Sequence, residues 1–298
     1  MLTPYTTELT GKRGANPLKI AVTGASGFIG RYVLAELERH QVEIVATTRR
    51  VERLANSART ARIVEMDITR PEKDCFNRLG RPDVLIHLAW DGLPNYMSLH
   101  HFETELPRHF FFLKSMLEAG LPSLLVTGTC FEYGMQSGPL SEDLVALPNN
   151  PYGYAKNALR QQLEFLKTAK PFALTWARLF YMYGEGQPKG SLYSQMEDAV
   201  MRGDELFNMS GGEQLRDYLP IGEVARLIAI LATNHSNSGC VNVCAGKPIS
   251  VRKLVEGWLK EKNWNIGLNL GHYPYPTYEP MAFWGDRHRL DAILNENA

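Results

Sequence analysis

Residues 23–30, Thr23-Gly24-Ala25-Ser26-Gly27-Phe28-Ile29-Gly30, follow a short apolar run, LKIAV (18–22). They open a segment in which Phe28, Ile29, Val33, Leu34 and Leu37 recur at helical spacing. Strand, glycine-rich turn and helix, in that order, is the setting in which a dinucleotide-binding fold needs its glycines. One glycine makes the tight turn, one lets the backbone approach a pyrophosphate, and one lets helix and strand pack closely. The N–H groups and positive end of the helix then suit phosphate. A lone glycine motif is also what a bare strand-to-helix turn looks like. Repeated strand–helix units behind it favour nucleotide binding, with Gly24, Ser26, Gly27, Phe28, Ile29 and Gly30 as candidate contacts.

Those units are legible outward from the turn. VEIVAT (42–47), RIVEM (62–66), DVLIHLA (83–89), SLLVTG (123–128) and FALTWARL (172–179) read as strands. DVLIHLA and SLLVTG are continuous apolar runs, the pattern of strands covered on both faces of a parallel sheet. Helical patterns fill the gaps, notably 97–119 (interrupted at Pro107) and 154–168. The expectation is an α/β, doubly wound parallel sheet over residues 17–183, with later returns near 216–245. Residues 1–16 have no periodic apolar pattern and are expected to form a flexible arm. After Tyr183 the rhythm breaks, so residues 184–298 are read mainly as a smaller lobe that binds substrate, with helices near 194–202, 223–233 and 251–260 and a strand at 240–243.

Lys plus Arg and Asp plus Glu each number 32 in 298 residues, so the formal net charge is zero. That balance gives no support to nucleic-acid or polyanionic-membrane binding, both of which call for a basic surface. No apolar run is long enough to cross a bilayer, and the N-terminus shows no charged-then-apolar leader pattern. Cys75, Cys130, Cys240 and Cys244 are too few and scattered for a disulfide framework. A cytoplasmic protein is expected. His100, His101 and His109 lack a completing ligand set and are read as solvated or partner-facing, so no metal is expected.

Where an NAD site usually carries an acid, at the end of the second strand, this chain reads Thr47-Thr48-Arg49-Arg50. Two guanidiniums and two hydroxyls suit a 2′-phosphate, which favours NADP(H), with NAD(H) the alternative. Tyr152 and Lys156 are four apart and share a helix face. That spacing alone is weak; its value comes from Thr129, just past the C-terminal end of the fifth strand, where open α/β sheets place ligands. Trp90 and Asp91 follow the fourth strand and are candidates to line the same cleft. Tyr273, Tyr275, Tyr278 and Trp284 in the C-terminal tail are read as lobe core.

TGASGFIG (23–30), HLA (87–89), TGTCFEYG (127–134), PYGYAK (151–156), ARLFYMYGEGQ (177–187), RDYLPIGEVA (216–225) and NVCAGKPISVRKLVE (242–256) resemble the extended short-chain dehydrogenase/reductase family. Within it, the chain is most similar to the nucleotide-sugar branch: 4-epimerases, 4,6-dehydratases and 4-keto-6-deoxysugar reductases. The resemblance implies a Rossmann-type sheet. It implies that Tyr152 is the acid/base, that Lys156 binds the nicotinamide ribose and lowers the tyrosine's pKa, and that Thr129 hydrogen-bonds the reacting oxygen. Asp67, with Ile68, matches the acid near the adenine. Leu88 and Ala89 fall in the cofactor-lining segment, and Arg216 matches the arginine that contacts the sugar nucleotide's pyrophosphate. Trp90, Thr129, Cys130, Tyr181 and Arg216 are the expected substrate contacts. Tyr181 stands where the family usually has Asn, and a final helical segment past Asp286, Leu290 and Ile293 is expected to be missing. The acidic pair that dehydratases carry directly after the hydroxyl residue is replaced by Cys130-Phe131.

The leading expectation is therefore an NAD(P)H-dependent reductase of a nucleotide-linked 4-keto-6-deoxyhexose, with Tyr152 as proton donor. A nucleotide-sugar 4-epimerase is the alternative on the same residues. A non-catalytic nucleotide-sensing protein of this fold is the alternative from another class. The helical stretches near 97–119 and from 154 resemble the family's dimer surface, which implies a homodimer.

Overall fold

The apolar runs become strands β1 (Leu18–Thr23), β2 (Val42–Thr48), β3 (Arg62–Glu65), β4 (Val84–His87) and β5 (Ser123–Thr129), followed by Ala173–Leu179 and Gly239–Val243. The computed structural model describes residues 17–54, 59–70, 72–234 and 237–296. The arm expected at 1–16 lies outside the described residues. All seven strands join one sheet in the order Gly239–Val243, Ala173–Leu179, β5, β4, β1, β2, β3. Every neighbouring pair is parallel. Every residue of β4 and β5 is buried, as their unbroken apolar runs require.

Eight helices cover the described chain: α1 (Phe28–Leu37), α2 (Cys75–Arg78), α3 (Leu106–Glu118), α4 (Pro151–Ala169), α5 (Leu192–Arg202), α6 (Ile221–Thr233), α7 (Val251–Lys262) and α8 (His288–Asn295). Alternate strand residues feed the two faces of the sheet. Ile20 and Val22 pack with Val33 and Leu34 of α1 and Leu227 and Ile228 of α6. Ala21 and Leu85 pack with Phe112 and Met116 of α3 and Leu159 of α4 on the other face. Helix α6 thus packs on the sheet and the strand Gly239–Val243 forms one edge of it. Residues of α5, the strand Leu206–Asn208 and α7 bury a separate core around Met196, Phe207 and Trp258.

The strand order reverses between β1 and β4, because β2 and β3 build outward on one side and the chain then crosses back. This is where open α/β sheets open a crevice at the strands' C-terminal ends. Thr23 pairs with His87 in register, so the glycine turn lies beside residues 88–91. Gly24 adopts φ +69°, and a Cβ there would meet the Ala89 nitrogen at 2.6 Å. A Cβ on Gly30 would lie 2.2 Å from the Gly24 oxygen. Glycine at both positions is what lets α1 sit directly on the turn.

Several local expectations change. Pro107 does not interrupt a helix. It sits in the first turn of α3, where its missing N–H is not needed, after one wide turn at His101–Glu105. Helix α4 begins at Pro151, capped by the Asn150 side chain, which accepts from the Gly153 N–H at 2.9 Å. Leu290 and Ile293 lie in a helix of their own, α8, which buries Leu290 against the sheet core. Tyr273 and Tyr278 are exposed rather than lobe core, since the proline-rich segment around them runs over the surface.

Candidate active site

The crevice at the switch point is walled by the glycine turn, the end of β2, the segment after β3 and the segment after β4. Of the expected cofactor contacts, Gly24, Ser26, Gly27, Arg49, Asp67, Ile68, Leu88 and Ala89 line it, and so does Trp90. Phe28 and Ile29 instead turn toward the core under α1. Gly30 serves the packing of α1 on the turn, and Arg50 and Lys156 are not among the lining residues. Arg53, Asp91, Glu105 and His109 complete the walls. No side chain caps the start of α1, and its first turn carries no acid, so its amide N–H groups suit an anionic ligand. Asp67 is raised by burial but more strongly lowered by two hydrogen bonds from Thr69 and the charges of Arg49 and Arg70, so its carboxyl stays below its ordinary range.

At the edge of that crevice, Thr129 ends β5 and Tyr152 and Lys156 lie in the first two turns of α4. All three are buried, at 6, 8 and 2 % exposure. The Thr129 side chain lies close enough to the Tyr152 phenol to favour its ionised form. Lys156 donates to the Thr127 carbonyl at 2.9 Å and lies 6.0 Å from the centre of the Tyr152 ring. Burial pushes the phenol well above its ordinary value, and nearby Tyr96, Glu132 and Cys130 push it further. Burial also lowers Lys156, to about 7, against the opposing charges of Glu132 and Glu105.

That depression fixes a sign. Below about pH 7 the folded protein holds an ammonium in a dry site at full penalty. Between about 7 and the ordinary 10.5 the unfolded chain binds a proton that the folded one does not, so stability rises with pH through that window. Relative to a Lys156→Met variant, the wild-type denaturation midpoint should be higher at pH 9 than at pH 6. An unchanged difference would refute the depressed lysine.

Thr129 is held from beneath by Glu132, which is fully buried. Glu132 accepts from the Thr129 N–H at 2.8 Å, from Trp176 Nε1 at 2.9 Å and from Arg178 Nε at 2.8 Å. The Thr129 hydroxyl in turn accepts from the Phe131 N–H, completing a capping box. Sequence reasoning missed Glu132, although Thr129-Cys130-Phe131-Glu132 carries the capping-box spacing.

The three histidines are also corrected, because two of them are buried. His101 and His109 are 0 and 2 % exposed, and His87 joins them at 0 %. Thr23 Oγ1, His87 and His109 form a chain with links of 2.8 Å each, ending on Glu105 Oε2 at 3.1 Å. Burial lowers both His87 and His109, so both are neutral at pH 7. With Glu105 an acceptor, only one assignment satisfies every link: His109 donates to Glu105, His87 donates to His109, and the Thr23 hydroxyl donates to His87. Trp90 stacks on His109 at 4.6 Å and 15°, donates to His101 Nδ1 at 3.1 Å, and presents its ring to the Lys156 ammonium at 4.1 Å. Among the described residues no cluster of His, Cys, Asp and Glu could hold a metal ion.

Cys130 follows Thr129 and is buried, its thiol pushed up by that burial. Arg216 and Tyr181 lie together on its far side. Arg216 is 3 % exposed, and its Nε and Nη2 donate to the Glu279 carboxylate at 3.2 and 2.9 Å. Its guanidinium lies 4.5 Å above the Phe283 ring. A pyrophosphate reaching Arg216 therefore has to displace Glu279. Among the described residues the buried Tyr181 hydroxyl has no hydrogen-bond partner, and it lies within the influence of Glu279 and Arg216.

A family model described as the NAD dependent epimerase/dehydratase family matches residues 20–244. The chain is 32% identical over 270 residues to a dTDP-6-deoxy-L-talose 4-dehydrogenase (NAD(+)) of Aggregatibacter actinomycetemcomitans, covering 90% of this chain and 99% of that one. It is 22% identical over 254 residues to a dTDP-4-dehydro-6-deoxyglucose reductase of Escherichia coli, covering 80% of this chain and 79% of that protein. Among solved structures, a UDP-N-acetylglucosamine 4-epimerase from Methanobrevibacter ruminantium M1 shares the fold with a TM-score of 0.82 at 21% identity, over 94% of this chain and 92% of that one.

Proposed function

The chain belongs to the NAD dependent epimerase/dehydratase family, in the nucleotide-sugar branch of the extended short-chain dehydrogenases, and from that premise we propose that it reduces the 4-keto group of a nucleotide-linked 4-keto-6-deoxyhexose. The observation that carries this reading is the convergence of Thr129, Tyr152 and Lys156 beside the crevice, with a phenol that burial keeps protonated. Ketone reduction needs a proton donor, and a protonated phenol in reach of a second hydroxyl is one.

The crevice fits a nicotinamide dinucleotide: uncapped N–H groups of α1 for its pyrophosphate, and the Asp67 wall for its adenosine end. When bound in reduced form, the cofactor supplies the hydride to the keto carbon. Tyr152 gives its proton to the keto oxygen, yielding the alcohol, and Thr129 hydrogen-bonds that oxygen as negative charge develops on it. We assign Lys156 to the ribose hydroxyls and to returning a proton to Tyr152; reaching the ribose requires the Trp90 ring, which covers its amine, to move aside. The lobe carrying Arg216 and Tyr181 positions the sugar nucleotide. Relatives named as redox enzymes at C4 of 6-deoxyhexoses support this substrate class.

Dehydration is a poor fit. Glu132 is the acid nearest Thr129 in sequence, and all of its described contacts are donors within the protein interior. Epimerisation at C4 uses the same hydroxyl pair, and relatives named as 4-epimerases keep it as the second reading. The NADP(H) preference expected from Arg49 and Arg50 gains no support: Arg49 lines the crevice but is paired with Asp91, Arg50 does not line it, and the talose dehydrogenase relative is named for NAD(+). We also place the protein in the cytoplasm; no helix among the described residues is long and apolar enough to cross a membrane. A homodimer through the outer faces of α3 and α4 would cover Phe111 and Phe165, which are 61 and 74 % exposed.

The test is the 340 nm absorbance of NADH or NADPH with enzyme and dTDP-4-keto-6-deoxyglucose. The expected result is a fall stoichiometric with the alcohol formed. Interconversion of C4 epimers of a nucleotide sugar with no net consumption of cofactor would overturn reduction in favour of epimerisation.

A further inference from the structure

We propose that Asp91 sets which dinucleotide the crevice accepts: by holding Arg49 in a two-point ion pair across the opening, it withholds that arginine from a 2′-phosphate and favours NAD(H). The inference deepens the cofactor reading above and rests on it.

Arg49 Nη1 donates to Asp91 Oδ2 at 3.0 Å and Nη2 to Oδ1 at 3.4 Å. The two residues come from opposite sides of the switch point, Arg49 from just after β2 and Asp91 from the segment after β4, and both line the crevice. Asp91 is fixed from behind, since its N–H donates to Glu105 Oε2 at 3.1 Å, and Glu105 is itself 1 % exposed and bonded to His109. The paired carboxylate is therefore part of a built wall.

Charge decides the rest. Arg49 faces Asp91 directly and also acts on the Asp67 carboxyl, so one cation is shared between two anions. A ribose 2′-hydroxyl enters that setting without adding charge. A 2′-phosphate adds a further charge of about −2 at neutral pH. To be paired by Arg49 it has to pull the guanidinium from Asp91 and leave that carboxylate unpaired at close range. Arg53, on the same wall, is left to meet the phosphate alone. An arginine at the end of β2 is thus not by itself a 2′-phosphate site; its partner decides.

The two side chains are 58 and 50 % exposed, so solvent screens the pair and the effect is moderate. The experiment titrates NADH and NADPH by their fluorescence on binding, with no substrate present, to wild type, Asp91→Asn, Arg49→Ala and the double variant. Asparagine keeps the shape and the backbone link to Glu105, so the fold is not at stake. Asp91→Asn should raise the ratio of NADPH to NADH affinity about two- to fivefold by removing one exposed charge pair. The rise should vanish in the Arg49→Ala background and shrink with added salt. An unchanged ratio in Asp91→Asn, or a rise that survives Arg49→Ala, overturns the role of Asp91 while leaving the cofactor reading intact. No binding of either dinucleotide to any of the four proteins overturns the cofactor reading itself.

Discussion

Replacing Tyr152 by phenylalanine should lower turnover by about 10²- to 10⁴-fold, the range set by losing a positioned proton donor. The ring itself stays in place. It is tilted against Tyr96 at 5.7 Å and packs edge-on to Trp90 at 6.2 Å, and the residue's N–H donates to the Tyr96 carbonyl at 3.2 Å. Phenylalanine keeps all of these, so the variant folds and its crevice is unaltered. NADH fluorescence titration should accordingly give an affinity near the wild-type value, while 340 nm rates collapse. The reading fails if the variant keeps more than a tenth of wild-type turnover.

Glu132→Gln should destabilise the fold by about 3–5 kcal/mol, the range for breaking a buried ion pair by removing one partner. Arg178 is 2 % exposed, so its charge has no route to water. The amide is not a substitute. Glu132 is surrounded by donors, the Thr129 N–H, Trp176 Nε1 and Arg178 Nε, and an amide NH2 turns two further donors on them. Thermal and guanidinium denaturation should show a Tm lower by roughly 10 °C for a chain of this size. The same variant should lose activity beyond its loss of fold, since Glu132 anchors the backbone that presents Thr129. Stability within about 1 kcal/mol of wild type would mean the cluster is wetter or more adaptable than its burial indicates.

Much of this was written locally. The glycine turn, the unbroken apolar runs of β4 and β5, and the four-residue spacing of Tyr152 and Lys156 are short-range patterns. Each depends only on strand or helix period and on which backbone conformations glycine allows. They fix the sheet class, the crevice and the hydroxyl-bearing helix. The Pro107 reading went astray because one proline is compatible with both a break and a first turn, and only the register of the preceding turn at His101–Glu105 selects between them.

The charges were different. Arg49 and Asp91 stand 42 residues apart, Glu132 and Arg178 46, and Arg216 and Glu279 63. His87 and His109, 22 residues apart, share a hydrogen bond at 2.8 Å. No local pattern pairs such groups, because their meeting depends on the order in which strands return to the sheet. Sequence alone therefore determined that this protein has a dinucleotide-type crevice with a tyrosine, a lysine and a threonine at its edge. Which arginines are paired, which histidines are buried and which carboxylate holds Thr129 were decided only by the tertiary structure, since burial and long-range partners set the charge and availability of each group.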